Sequence, residues 1–210
     1  MNHIFDFFLN AYHDAPTHQI VLEAIAFVFG ILSVWYAKKE DILVYPTGII
    51  CTVITVYLLY INQYYGDMMM NFYYSIMSIY GWWNWSRKSN NTYVVPISRT
   101  TFKEKQVGIL FFVLTMIITY LVYKAFGYTM QIPNYIDVVT SGIFFTAMWY
   151  MANKKLENWT LWILGDLITI PLYAYRGLGM LSLQYLIFTI LAIQGYIEWK
   201  KSLNNTQQIA

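Results

Sequence analysis

Two stretches of this 210-residue chain repeat one another at a constant distance. Trp35-Tyr36 recurs as Trp149-Tyr150, and Tyr80-Gly81-x-x-x-Trp85 recurs as Gln194-Gly195-x-x-x-Trp199, each pair 114 residues apart. Self-similarity at a fixed offset marks one structural unit used twice. Each copy holds three apolar segments, and one more lies between the copies. Three crossings of a membrane reverse a chain's direction. A fourth is therefore needed before the second unit can run parallel to the first, about an axis normal to the membrane.

The membrane itself follows from composition. Hydrophobic residues make up 58% of the chain and charged residues 11%, against about 25% charged in a soluble domain. The charges are segregated between apolar stretches long enough for a hydrocarbon core of about 30 Å, which takes about 20 helical residues. The pattern predicts seven spans, at 19–37, 42–60, 67–85, 107–123, 135–152, 159–175 and 179–197. The expected fold is all-α and integral to the membrane, a single domain over 1–210. Repeat 1 covers 20–88, a linker helix 107–123 and repeat 2 135–201. Short turns join helices within each repeat and make neighbours antiparallel. Lys38–Asp41 matches Asn153–Asn158 apart from a small insertion in the second. The linker helix carries no charged residue, so its expected task is topological.

Lysine and arginine set the expected orientation. Loops on one side hold Lys38, Lys39, Arg87, Lys88, Arg99, Lys103, Lys105, Lys154, Lys155, Lys200 and Lys201, and the other side only Lys124 and Arg176. The positive-inside rule then places the N-terminus outside and the C-terminus in the cytoplasm of a multi-pass membrane protein. A net charge of +2 reflects this bias and implies no nucleic-acid partner. The apolar run Ile4-Phe5-x-Phe7-Phe8-Leu9 is expected to lie in the interface or to be disordered. Cys51 is the single cysteine, which excludes an intrachain disulfide. His3, His13 and His18 lack metal-ligand spacing, so neither a metal nor another cofactor is expected. An enzyme needs paired acids, a metal cluster or a nucleophile with its base. The spans offer none of these, and no catalytic residue is expected.

Polar residues at membrane depth need a partner or a water-filled cavity, which makes them the site candidates. In Trp159-x-x-Trp162-x-x-x-Asp166 the three side chains share one helix face. Asp166 lies on the order of 12 Å past the helix start, close to mid-bilayer. Insertion of a carboxylate there costs roughly 2.5–3.5 kcal/mol. Two indoles and an anion on one face suit a flat cationic ring, by stacking, cation–π attraction and ion pairing. The structural alternative is a protonated Asp166, or one hydrogen-bonded to a neighbouring helix, with Trp159 only an interfacial anchor. Asn71 and Gln184 occupy nearly matching places early in the third and seventh spans, where amides read hydroxyl groups or tie helices together. Tyr74, beside Tyr73, adds aromatic surface there. Pro46 and Pro171 are hinge candidates. The aromatic ends around Gly81 and Gly195 read as close helix contacts with interfacial anchors, or as an inner gate.

At these residues the chain resembles the PnuC family of bacterial vitamin transporters, related to the SWEET sugar transporters. The resemblance covers essentially the whole chain. It rests on the 3+1+3 layout, the run from Asn71 through Tyr80-Gly81-Trp82-Trp83, Glu157-Asn158-Trp159-x-x-Trp162, and Gly165-Asp166-x-x-x-x-Pro171-Leu172-Tyr173-x-Tyr175-x-Gly177. It implies facilitative uptake of nicotinamide riboside, retained by cytoplasmic phosphorylation and so linked indirectly to a vitamin kinase. It also implies a homotrimer with one pathway per protomer. The family's ligand motif falls on Trp159 and Trp162, its next polar position on Asp166, and the polar site of the third helix on Asn71. A thiamine-transporting branch shares the fold. Both vitamins carry a permanently cationic ring, so thiamine or another cationic vitamin is the alternative substrate.

Overall fold

The computed structural model describes residues 16–61, 65–89, 92–93, 95–127, 129–176 and 179–209. The apolar run at 4–9 lies outside them. Seven helices are found among the described residues: α1 (Thr17–Lys38), α2 (Val44–Ile61), α3 (Tyr65–Ser86), α4 (Phe102–Ala125), α5 (Ile132–Ala152), α6 (Glu157–Tyr175) and α7 (Gly179–Ile209). A two-rung ladder of β1 (Lys88–Ser89) and β2 (Thr92–Tyr93) follows α3. The seven helices stand where hydropathy puts the seven spans. The largest difference is α7, which continues through Ile209 instead of ending near 197. Its last turns are too polar for lipid yet lack glycine or proline to stop a helix.

Contacts between the helices run α1–α2–α3–α5–α6–α7 and back to α1, while α4 packs mainly on α5. Four helices, α1, α2, α4 and α7, are long and apolar enough to cross a membrane on length and composition alone. The other three carry amides, hydroxyls, tyrosines and tryptophans that lower their hydropathy. Much of that polar and aromatic surface is turned inward: on α5, Thr140, Thr146 and Tyr150 are buried. By contrast α4 exposes Ile109, Val113, Ile117 and Leu121. That stripe of period three to four suits hydrocarbon rather than water.

The turns after α1 and α5 match residue for residue. Glu40 N–H donates to Ala37 O and Asp41 N–H to Tyr36 O, while Lys154 N–H donates to Met151 O and Lys155 N–H to Tyr150 O. Each donor and acceptor in the second turn lies 114 positions after its mate in the first, so the insertion expected from sequence is absent. Glu40 and Lys154 are also the two non-glycine residues with positive φ among the described residues, at 57° and 50°. Both turns close by a left-handed residue of the kind that ends many helices.

A core of large side chains lies at the end of the ring that bears these turns. Tyr45 meets Trp85 edge to face at 5.1 Å and 85°, and Trp159 meets Trp199 edge to face at 5.5 Å and 88°. Trp85 and Trp199 in turn touch at 5.9 Å. Gly81 and Gly195 admit the rings of Tyr45 and Trp159, which a Cβ at either glycine would strike. The sequence suggested close helix approach and interfacial anchoring here. The glycines instead make room for aromatic rings, and Trp85 and Trp199 are buried in the core.

Residues 95–101 bind the second unit. Ser98 pairs with Lys155 as a parallel bridge, its N–H donating to Lys154 O and its carbonyl accepting from Leu156 N–H. Thr100 N–H donates to Glu157 Oε2. Thr101 and Glu104 then cap α4 reciprocally, and Lys155 pairs with Glu104 at 2.7 Å. At the far end Arg176 forks onto Asp137, which also accepts from the Tyr123 hydroxyl. α4, α5 and α6 are thus fastened together at both ends.

Candidate functional site

Asp166 sits near the middle of α6, nine residues after Glu157. It is 2% exposed, so it does not face lipid. Among the described residues its carboxylate has no hydrogen-bond or ion-pair partner, which excludes the tight polar helix contact considered from sequence. Retaining such a buried group is costly unless something pairs with it.

One turn before Asp166, the half-buried Trp162 lies in a line of rings drawn from four helices. Phe144 of α5 stacks on it at 5.5 Å and 28°, and Tyr185 of α7 stacks on Phe144 at 6.0 Å and 25°. Tyr74 of α3 approaches the indole from the other unit at 6.3 Å. Gly165 makes the stack feasible, since a Cβ there would run into the Phe144 ring. Tyr73, next to Tyr74, is held flat on Phe145 at 3.7 Å and donates its hydroxyl to Phe145 O. The structure therefore brings Tyr74 to Trp162, one helical turn from Asp166, beside the rings of Phe144 and Tyr185, which the sequence had not singled out. The 114-residue offset carried the missing signal: Phe144 and Gly165 correspond to Gly30 and Cys51, an exchange of large for small at facing positions.

The other candidates are distributed differently. Trp159 shares the α6 face with Trp162 and Asp166, yet its ring is 1% exposed, wedged against Gly195 and Trp199 in the core. It is neither an interfacial anchor nor part of the ring stack. Gln184 of α7 places its amide nitrogen beside Gly30 of α1, with Cys51 Sγ and the Phe188 ring also there. Asn71 is half-buried one turn before Tyr74, its carbonyl accepting from Ser75 Oγ. Pro171 lies inside α6, where Ser182 of α7 donates to the neighbouring Ile170 carbonyl. Pro46, by contrast, is in the first turn of α2, where the N–H it lacks has no intrahelical acceptor. It removes no helix bond, and only Pro171 keeps the hinge chemistry expected of both.

Comparison with known proteins agrees with this architecture. The model of the nicotinamide mononucleotide transporter family matches residues 20–201. The nicotinamide riboside transporter PnuC of Escherichia coli (strain K12) is 23% identical over 204 residues, covering 86% of this chain and 85% of that one. The protein of the same name from Neisseria mucosa is 27% identical over 194 residues, covering 86% and 72%. A solved structure, the crystal structure of the vitamin B3 transporter PnuC, is similar with a TM-score of 0.70 and 26% identity, covering 88% of this chain and 82% of its own.

Proposed function

Because this chain belongs to the nicotinamide mononucleotide transporter family, we propose that it takes up nicotinamide riboside across the bacterial inner membrane by facilitated diffusion. Membership makes it a multi-pass membrane transporter, not an enzyme. The substrate follows the relatives named for nicotinamide riboside. The observation that carries the reading is Asp166, buried and unpaired one turn from the indole of Trp162. A cationic aromatic ring supplies the countercharge that Asp166 lacks and suits the aromatic surroundings of Trp162. Trp162, Asp166 and Tyr74 hold the ring in this scheme. Asn71 and Gln184 read hydroxyl groups, and Trp159 supports α6 from below.

All seven helices cross the membrane in this proposal, as two parallel repeats with the N-terminus periplasmic and the C-terminus cytoplasmic. The matched turns at 114-residue spacing and the eleven-to-two distribution of basic residues support it. A homotrimer, and retention of the vitamin by a cytoplasmic kinase, rest on the family resemblance. The family resemblance implies no energy coupling, so labelled nicotinamide riboside is expected to equilibrate into proteoliposomes without concentrating when the membrane potential is clamped at zero. Accumulation above the external level would overturn facilitated diffusion.

Thiamine is the second reading, favoured by the same unpaired anion, which recognises positive charge rather than one vitamin. A thermal-shift comparison separates the two: stabilisation by thiamine alone replaces the first reading with the second.

A further inference from the structure

Helices α1–α3 meet helices α5–α7 along two seams, α3–α5 and α7–α1. At the end that bears the matched turns, positions 114 residues apart stand on both seams but do not make the same bonds. Trp199 Nε1 of α7 donates to Ala37 O of α1 at 3.0 Å. The matching donor on α3 is Trp85 Nε1, and the matching carbonyl on α5 is that of Met151. Each carbonyl accepts an amide of its own turn, from Glu40 and from Lys154. Only Ala37 O holds an indole as well. Trp85 Nε1 is buried and has no acceptor among the described residues.

What stands at Trp85 instead is Lys154. Its ammonium lies over the indole ring at 4.6 Å and pairs with Glu40. The matching residue at the other seam is Glu40 itself, an anion that the face of an indole repels. The Tyr45 hydroxyl and Trp159 Nε1 also lack a partner among the described residues, but they occupy matching places and burden the two sides alike. Trp85 is the difference. A buried donor left unpaired is costly, and in a native structure it marks a reservoir of strain.

We infer that this end is a gate that opens at the α3–α5 seam, with Lys154 as its latch. In the observed form the ammonium holds Glu40 and the Trp85 ring together while the indole N–H goes unpaired. Parting α3 from α5 takes the ammonium off the ring and away from Glu40. It also lets water reach that N–H, along with the groups of the Asn84–Ala152 and Tyr80–Asn153 bonds on the same seam. The bond gained by Trp85 offsets part of what the latch loses, which keeps the two forms close in free energy. Midway along the seam Tyr73 lies flat on Phe145 and donates to its carbonyl, so the parting is confined to the end beyond it. The α7–α1 seam, whose indole is already bonded, serves as the hinge. This inference rests on the proposed transport function.

Two indole variants of the purified full-length protein test the latch. Trp85→Phe and Trp199→Phe remove the same atoms from buried rings, so their comparison isolates the bond that only Trp199 makes. Trp199→Phe is expected to lower the unfolding temperature more than Trp85→Phe. Trp85→Phe is expected to slow uptake of nicotinamide riboside into proteoliposomes about threefold or more, with affinity in titration calorimetry within about twofold of wild type. Equal losses of stability, or unchanged uptake in Trp85→Phe, overturn the gate. Bismaleimides of two lengths test the seam, on Tyr80→Cys with Asn153→Cys across α3–α5 and on Lys38→Cys with Glu198→Cys across α7–α1. The short linker is expected to block uptake on the first pair only, and the long linker on neither. Equal uptake with both linkers on the first pair, or a block by the short linker on the second, overturns the seam assigned. The linked pairs keep Trp85, so they decide the question even where Trp85→Phe does not fold. Wild-type protein that neither binds nor carries the riboside overturns instead the functional reading beneath the gate.

Discussion

Lys154 Nζ lies 2.6 Å from Glu40 Oε1, and these two residues occupy matching places in the turns after α1 and α5, 114 positions apart. Opposite charges thus stand at matching places in the two turns and pair with each other. The ammonium also lies over the Trp85 ring at 4.6 Å. Further bonds lie nearby: Asn84 Nδ2 donates to Ala152 O, and Trp199 Nε1 donates to Ala37 O. These contacts tie α1, α3, α5 and α7 together at this end of the molecule.

Removing Glu40 takes this countercharge away from a buried ammonium. Loss of one member of a fully buried pair costs about 3–5 kcal/mol. Glu40 is partly exposed while Lys154 is buried, so Glu40→Gln is expected to cost less, about 1–3 kcal/mol. Thermal unfolding measures it. The exchange Glu40→Lys with Lys154→Glu is expected to recover part of the loss, giving a non-zero coupling energy in a double-mutant cycle. Additive losses would show that the pair is incidental.

The charge of Asp166, rather than its shape, is expected to select the substrate. Asp166→Asn preserves volume and removes the anion, so binding of a cationic vitamin is expected to fall about tenfold or more. A neutral analogue of the same shape is expected to lose less than about threefold. Equal losses in titration calorimetry would make Asp166 a structural residue.

Trp162 and Trp159 are expected to separate. Trp162→Ala removes a half-buried ring whose Phe144 and Tyr74 neighbours remain, so binding is lost while the protein stays folded. Trp159→Ala empties a core site, which costs about 3–5 kcal/mol, and its effect is expected first in unfolding temperature and yield. Unchanged stability in Trp159→Ala would place that ring outside the core function assigned to it.

Gly195→Ala puts a methyl 2.6 Å from the Trp159 ring, and Gly81→Ala drives one into Tyr45. Over-packing of this kind costs about 1–3 kcal/mol, with matching penalties expected because the two sites are counterparts. Gly127 has φ of 71° and nothing within 4 Å of a Cβ. Gly127→Ala is therefore expected to cost only the backbone term, about 1 kcal/mol. Unfolding temperatures of the three variants check the ranking.

The number of helices, their approximate places, the 114-residue offset and the shared face of Trp162 and Asp166 were legible in the chain itself, while the far end of α7 was not. Hydropathy, helical period and internal repetition are local properties, readable wherever they occur. Which faces meet is not local. Only the packed molecule revealed that Trp159 turns into the core, that Phe144 lies on Trp162 because Gly165 leaves it room, and that Glu40 finds Lys154. Those outcomes depend on how side chains from segments more than a hundred residues apart fill a common volume, and close packing admits few arrangements.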